Sequence, residues 1–179
     1  RIVLSGLQET NYPISYPERD TILRSYLRLI HGPEYNVGRR IYPKDFMGPG
    51  SYTLQMENVQ DDENNETNIP NIRNQYTVTD KADGERKLMY ISEDGKIYLI
   101  DTNMNVIFTG TKTNEITLYN SMVDGQHIKY NKEGIFINLY AAFDVYYIHE
   151  KSVREYPFIP PNSDIVETKY RLPLLHKRS

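Results

Sequence analysis

One short segment of the chain carries residue types that could act on a phosphorylated substrate. Residues 79–86 read Thr-Asp-Lys-Ala-Asp-Gly-Glu-Arg, which places two cations, Lys81 and Arg86, within six residues. Two cations so close together can hold a polyphosphate, and each disfavours the charged form of the other. A partly desolvated lysine beside a second cation is neutral often enough to attack an electrophile. Lys81 is therefore a candidate covalent nucleophile, and Arg86 a clamp for phosphate charge.

The same segment also has a purely structural interpretation. Asp83-Gly84 is a favourable turn dipeptide between two strands, and lysines are common on protein surfaces. Gly84 would then serve only the backbone, by allowing a turn or a close approach. Taken alone, these residues favour the hairpin, so other parts of the chain must decide between the two interpretations.

The elements that would position this segment are a helix and a set of strands. Pro17 suits a helix start, and Gly32-Pro33 would end that helix. Alternation of apolar and polar residues from Tyr76 onward is typical of antiparallel strands. The predicted strands are 76–79, 88–91, 96–100, 106–109, 116–119, 126–130, 135–140 and 141–148, with a further one at 52–54. The fold class is therefore α+β, with a twisted antiparallel sheet, a polar surface loop over 57–74 and short helical pieces in the tail.

Composition excludes several classes of function. The chain has 179 residues, about one domain's length. It has no cysteine, which excludes disulfide scaffolds, thiolate zinc sites and thiol catalysis. A net charge of −3 excludes a wholesale polyanion binder, so contacts with nucleic acid would come from local basic groups. Without an apolar run long enough to cross a bilayer, we expect a cytoplasmic protein with no membrane partner.

Three motifs, taken in order, resemble those of a known family. Lys81-x-Asp83-Gly84-x-Arg86 resembles the nucleotidyl-lysine motif of the covalent nucleotidyltransferases, which include mRNA capping guanylyltransferases and ATP-dependent DNA and RNA ligases. Residues 123–126, Val-Asp-Gly-Gln, resemble the family's Asp-Gly-Glu motif. Residues 142–147, Ala-Phe-Asp-Val-Tyr-Tyr, resemble its later Phe-Asp strand motif. The second and third motifs are weak alone, but the order and spacing of all three favour the family over the simple hairpin.

Within that family, the guanylyltransferase region of capping enzymes from large cytoplasmic DNA viruses is most similar. Residues 46–49 are similar to the segment that precedes the nucleotidyl-lysine, and residues 152–154 and 170–174 also fit the capping pattern. The resemblance implies a nucleotidyltransferase (ATP-grasp-like ligase and capping) fold. It also implies that 1–35 is a linker and helix, with a strand at Ile2 to Ser5 that could end a preceding triphosphatase domain. Residues 36–179 would be a partial nucleotidyltransferase domain, located in host cytoplasm or the virion.

The resemblance implies a role for each motif residue. Lys81 would attack the α-phosphate of GTP, and the resulting lysyl-GMP would pass to the 5′-diphosphate end of RNA. A divalent metal, Mg²⁺ or Mn²⁺, is expected as the cofactor. Arg86 would contact the ribose and phosphates of GTP, and Gln126 would form a hydrogen bond with the ribose. Phe143 would stack on the purine, and Asp144 would bind the metal. Asp83 and Gly84 would shape the loop that carries the nucleophile.

Two departures keep other interpretations open. Gln126 stands where the family has glutamate, and neither a Glu-Gly nor a Lys-x-Lys motif follows Asp144. We therefore expect a partial catalytic core of a multifunctional capping enzyme, lacking the closing OB-fold lid. The alternatives are the adenylation domain of an ATP-dependent ligase, a non-catalytic binding module with this fold, and an α+β domain of unrelated role.

Overall fold

The structure is a computed structural model, and it describes residues 2–8, 10–36, 38, 40–61, 69–74, 76–80, 82–160 and 169–177. Residues 1–47 and 82–179 form one compact unit, and residues 48–81 form a second. Among the described residues, no helix is both long enough and apolar enough to cross a membrane. The predicted domain boundary after residue 35 stays a prediction.

Two helices begin the first unit. Helix α1 spans Ile2–Gln8 and α2 spans Tyr16–His31. The start of α2 is capped by Ser15, whose hydroxyl accepts a hydrogen bond from the Glu18 amide at 3.3 Å. Its end is marked by Gly32, whose φ of 101° is open to glycine but strained for other residues. The predicted helix is thus confirmed to within a residue at each end.

The predicted strand at Ile2 to Ser5 is wrong, because these residues belong to α1. Their β-branched character favoured a strand, but the segment finds no strand partner. Instead the Gln8 amide group makes both hydrogen bonds to the backbone of Ile14, with Nε2 donating to the carbonyl at 2.9 Å and Oε1 accepting from the amide at 3.0 Å. These bonds join the end of α1 to the loop that leads into α2.

A six-stranded sheet forms the centre of the first unit. Its strands, in chain order, are β1 (Glu85–Ile91), β2 (Lys96–Asp101), β3 (Val106–Lys112), β4 (Ser121–Tyr130), β5 (Phe136–Ile148) and β6 (Lys151–Ser152). Every pair is antiparallel, and the spatial order is β3-β2-β1-β4-β5-β6. The α+β class with an antiparallel sheet is therefore confirmed.

Some predicted strands differ from the structure. The two predicted strands 135–140 and 141–148 are one long strand, β5, whose register with β4 shifts at three places. Residues Ile116–Leu118 form a 3₁₀ helix instead of a strand. Residues 52–54 and 76–79 are in no strand. Apolar alternation predicts which side chains could share a face, but a strand also needs a neighbouring backbone, and these short segments do not find one.

The two faces of the sheet are covered by different helices. Helix α2 packs on one face, where Tyr26 and Leu27 lie fully buried against a cluster that includes Leu88, Ile100 and Met122. The second helix is α3, Arg171–His176, whose Leu174 and Leu175 pack with Val145 and Val153. The predicted helical piece in the tail is thus confirmed. We call the face under α2 the α2 face of the sheet.

The second unit, residues 48–81, contains a 3₁₀ helix at Met56–Asn58 and is held by two buried asparagines. The amide of Asn58 donates to the Pro70 carbonyl at 2.8 Å, and that of Asn71 donates to the Gln60 carbonyl at 2.7 Å. The two described ends of the predicted polar loop are thereby tied together. The acidic middle of the predicted loop, 62–68, lies outside the described residues.

Candidate functional site

Gly84, the residue just before β1, lies very close to the neighbouring strand β4. A Cβ built on this glycine would lie 2.8 Å from the His127 carbonyl oxygen and 2.9 Å from Cγ1 of Ile128. Both atoms belong to β4, so any side chain at position 84 would push the 82–86 segment away from that strand. The glycine of the first motif is therefore required here by packing between two strands.

Two residues later, Arg86 makes a two-pronged ion pair with Asp124. Its Nε lies 3.2 Å from Oδ1 and its Nη2 lies 2.6 Å from Oδ2. Asp124 is fully buried, whereas about a quarter of the Arg86 side chain remains exposed. The hydrogen bonds to Asp124 raise the pKa of Arg86, although burial acts in the opposite direction. The first two sequence motifs thus meet through a fixed, permanently charged guanidinium that still reaches solvent.

Tyr146 completes the set of groups around the Asp124 carboxylate. Its hydroxyl donates a 2.6 Å hydrogen bond to Oδ2 of Asp124. Burial, followed by the negative charge of Asp124, raises the pKa of the Tyr146 phenol. The phenol therefore stays protonated and remains a donor. Tyr146 lies in the Phe-Asp strand motif, so all three motifs contribute to one connected group.

An aromatic ring covers the other side of the arginine. The Arg86 guanidinium carbon lies 5.5 Å from the centre of the Phe46 ring, within the range of a cation–π contact. The segment carrying Phe46 is held by Tyr26 of α2, whose hydroxyl donates to the Asp45 carbonyl at 2.9 Å and accepts from the Met47 amide at 2.7 Å. Burial is the main cause of a raised pKa at Tyr26. Arg86 is thus fixed on two sides.

Gln126 lies directly opposite Arg86 in the β1–β4 register. Its Oε1 atom is buried and has no hydrogen-bond partner within the described part of the chain. A buried acceptor without a partner is uncommon in native proteins. Gln126 shares the α2 face with Arg86, so this buried oxygen is an acceptor that lacks a donor close to the guanidinium.

Phe143 and Asp144 lie on β5, where the register shifts between Asp124↔Asp144 and Gly125↔Ala142. Phe143 is the extra residue at this irregularity and is 40% exposed. Irregularities of this kind often re-aim a side chain next to a functional site. An exposed phenylalanine here can stack on a ligand, as the motif resemblance implies.

Asp144 is committed to an ion pair with Arg171 of α3. Arg171 Nε lies 2.8 Å from Oδ1 and Nη2 lies 3.2 Å from Oδ2, and Oδ1 also accepts the Val145 amide at 2.8 Å. Arg171 Nη1 further donates to the carbonyls of Arg154 and Tyr156. This pair anchors α3 to the sheet.

The described side chains do not by themselves form a complete set of ligands for a divalent cation. Over the described ranges, no group of three or more His, Asp or Glu residues is arranged to hold a metal. Asp124 and Asp144 each have both carboxylate oxygens engaged by an arginine. The predicted metal role of Asp144 therefore stays a prediction that this geometry does not favour.

The sequence-predicted residues are thus only partly brought together. Arg86 and Gln126 are cross-strand neighbours, and Asp83 lies exposed in the turn before β1. Lys81 falls outside the described residues. Sequence reasoning gave no role to Asp124 or Tyr146, although both lie inside the quoted motifs. The available signal was an acidic residue inside the second motif, but the strand register that places Asp124 diagonally from Arg86 could not be known from the sequence.

This centre belongs to an α+β domain in which an antiparallel sheet holds a charged arginine opposite Gln126, whose buried amide oxygen has no partner among the described residues. The family model described as mRNA capping enzyme, catalytic domain, matches residues 63–171. The chain belongs to this family, which confirms the capping-enzyme resemblance seen in the motifs.

A relative described as a probable mRNA-capping enzyme, from Acanthamoeba polyphaga mimivirus, is 32% identical over 139 residues. The match covers 78% of this chain but only 10% of that relative. The chain therefore corresponds to about a tenth of the length of the viral protein it resembles.

Proposed function

We propose that this chain provides the guanylyltransferase region of an mRNA capping enzyme and has a nucleotidyltransferase-type fold. The observation that carries the proposal is the Arg86–Asp124 pair, in which Arg86 lies opposite a glutamine, Gln126, whose Oε1 has no partner in the described part of the chain. The pair lies within the segment that the family model matches. An arginine whose charge is fixed and still partly exposed is suited to bind phosphate oxygens.

The proposed reaction has two transfers at one phosphorus atom. The neutral ε-amine of Lys81 attacks the α-phosphorus of GTP, a P–N bond forms, and the bond to the β-phosphate oxygen breaks to release pyrophosphate. The amine loses a proton in this step. A terminal phosphate oxygen of a 5′-diphosphate RNA then attacks the same phosphorus. A P–O bond forms to give GpppN, the P–N bond breaks, and the departing lysine nitrogen takes up a proton.

The described residues have distinct tasks in this reaction. Arg86 contacts the ribose and phosphate side of GTP and offsets charge on the transferred phosphoryl group. Oε1 of Gln126 accepts a hydrogen bond from a ribose hydroxyl, which gives that buried oxygen a partner. Phe143 stacks on the purine, a contact that discriminates poorly between bases. Asp83 and Gly84 shape the loop that carries Lys81.

The proposed substrates are GTP and 5′-diphosphate RNA, with other domains of a multifunctional capping enzyme as partners. Since the described carboxylates do not form a metal site, Mg²⁺ or Mn²⁺ is expected to enter with the triphosphate of GTP as part of the substrate. The absence of cysteine is compatible with action in the reducing cytoplasm of a host or in a virion.

The test is nucleotide transfer by the full-length protein. We expect incubation with α-labelled GTP and Mg²⁺ to label the protein, and addition of 5′-diphosphate RNA to move the label to the RNA. Labelling by ATP alone would instead indicate a ligase. Absence of labelling by either nucleotide would indicate a non-catalytic module.

Arg86→Lys provides a matched variant, since it keeps the charge and removes the planar two-pronged geometry. We expect it to raise the KM for GTP about tenfold or more, because a bidentate contact is lost. Arg24→Lys is the control, since Arg24 lies exposed on α2. Equal KM values for both variants would contradict the role of Arg86.

A further inference from the structure

Strands β4 and β5 extend beyond the rest of the sheet as a two-stranded arm. The first residue of β1, Glu85, pairs with His127 of β4, and β4 continues to Tyr130. Beyond that point the described partner of β4 is β5, through Ile128↔Leu139 and Tyr130↔Phe136. We call residues 128–139 the hairpin arm.

The arm continues the face on which the candidate site lies. Alternation along β4 places Tyr130 on the same face as Gln126, which is opposite Arg86. Four residues of strand separate Gln126 from Tyr130, a distance of about 13 Å at the usual rise. Phe136 pairs across from Tyr130, and the two ring centres lie 5.6 Å apart in an edge-to-face arrangement. The Tyr130–Phe136 pair thus lies on the same face of the sheet as Arg86.

The rings of Tyr130 and Phe136 are largely exposed to solvent. Tyr130 is 59% exposed and Phe136 is 62% exposed. Exposed apolar clusters of this kind usually mark a binding surface. The arm also carries two lysines and one acidic residue, Glu133. Lys129 forms an ion pair with Glu85 at 3.8 Å on the face opposite Tyr130, whereas Lys132 is exposed. Exposed aromatic rings on an arm that also carries an exposed lysine suit a polyanion whose bases can stack.

We propose that the Tyr130–Phe136 pair of the hairpin arm is a docking platform for unpaired bases near the 5′ end of the acceptor RNA. The proposal rests on the proposed guanylyltransferase function, because it places the acceptor chain next to the site at which GMP would be held. Stacking on an aromatic ring is available to every base, so the platform accepts transcripts of different sequence. Lys132 contributes attraction for the backbone phosphates.

The test uses the full-length protein and a double variant, Tyr130→Ala with Phe136→Ala. Binding of a dye-labelled, ten-nucleotide, unpaired 5′-diphosphate RNA is measured by fluorescence anisotropy at fixed salt. We expect the double variant to raise the Kd about tenfold, since one stacked base is lost. Tyr130→Phe keeps the ring and should bind as the wild type does. Ile137→Ala, which removes an exposed apolar residue next to Phe136 on the opposite strand face, should also leave the Kd unchanged.

A second measurement separates this role from a structural one. Protein already carrying GMP is mixed with either the RNA or GDP as the diphosphate acceptor. We expect the double variant to transfer GMP to subsaturating RNA about tenfold more slowly and to GDP at the wild-type rate, because GDP has no downstream base. Equal slowing with both acceptors would mean that the centre itself is damaged and would overturn the proposal.

Other outcomes are equally decisive. An unchanged RNA Kd in the double variant would overturn the platform, and an accompanying change in sedimentation would assign the arm to a protein interface. If the wild type forms no GMP adduct, the proposed function fails. The anisotropy comparison would then still decide whether the arm binds RNA.

Discussion

Arg86 and Asp124 lie 38 residues apart in the chain and meet as diagonal neighbours on β1 and β4, with distances of 3.2 and 2.6 Å between their paired atoms. This pair connects the Lys-x-Asp-Gly-x-Arg motif to the Asp-Gly-Gln motif. Asp124 is fully buried, so the pair fixes the guanidinium of Arg86, while about a quarter of the arginine side chain stays exposed.

Asp124→Asn should weaken both the fold and the site. Removing one partner of a buried ion pair leaves the other uncompensated, so we expect a loss of about 3 kcal/mol in the free energy of unfolding. Urea denaturation measures this loss. The control is Asp20→Asn, which breaks the exposed Arg24–Asp20 pair on α2 and should change stability by no more than about 0.5 kcal/mol. Equal effects would show that the Arg86–Asp124 pair is not structurally important.

Tyr146→Phe isolates the third member of the group. It removes the 2.6 Å hydrogen bond to Asp124 while keeping the ring, and a bond to a charged acceptor is worth about 1.5–3 kcal/mol. Tyr147→Phe is a matched control, because Tyr147 is equally buried but its hydroxyl makes only a 3.5 Å contact with the Ile30 carbonyl. Thermal or urea unfolding should rank Tyr146→Phe as the more destabilised variant. The reverse order would refute the assigned network.

Gly84→Ala should destabilise the entry into β1 by about 1–3 kcal/mol, because the added methyl group would overlap the His127 carbonyl at 2.8 Å. Gly50→Ala has open space around the new methyl and should be nearly neutral. Unfolding midpoints in urea compare the two. A neutral Gly84→Ala would mean that the turn can move away from β4 without loss.

The protein should lose stability as the pH rises above about 10. Burial raises the pKa of the Tyr26, Tyr140 and Tyr146 phenols, whereas in the unfolded chain a tyrosine ionises near pH 10. Between those two pKa values the unfolded state has lost protons that the folded state retains, so stability falls with pH. Each such group contributes up to about 1.4 kcal/mol per pH unit.

Tyr26→Phe tests this dependence, because it removes one of the groups. Between pH 9.5 and 11, we expect the free energy of unfolding to fall less steeply with pH in Tyr26→Phe than in the wild type. This difference in slope is independent of any difference in stability between the two proteins at neutral pH. Urea titrations at several pH values give both slopes. Equal slopes would show that Tyr26 does not contribute to the loss of stability at alkaline pH.

The sequence predicted the parts of this fold that depend on local pattern. The helix near Pro17 has a cap and a glycine stop, and the strands 88–91, 96–100 and 106–109 show clear alternation, so each could be placed from sequence. The prediction of a strand at Ile2 to Ser5 was wrong because β-branched residues favour a strand only where a neighbouring backbone is available.

The candidate site was less accessible to sequence reasoning. Motif spacing identified Arg86 and Gln126, and the structure places them opposite each other. The commitment of Asp144 to Arg171 depends on how α3 packs on β5. The exposure of Tyr130 and Phe136 depends on how far β4 runs past β1. Register and packing of this kind come from tertiary structure and leave no local pattern.

The most direct test of the account is to locate the nucleotide on the chain. The full-length protein is incubated with GTP, digested under conditions that preserve a phosphoramidate, and the modified peptide is sequenced by mass spectrometry. The account predicts GMP on Lys81, no adduct in Lys81→Ala, and a normal adduct in the control Lys112→Ala, at an exposed lysine of β3. GMP on another residue, or an adduct that persists in Lys81→Ala, would contradict it.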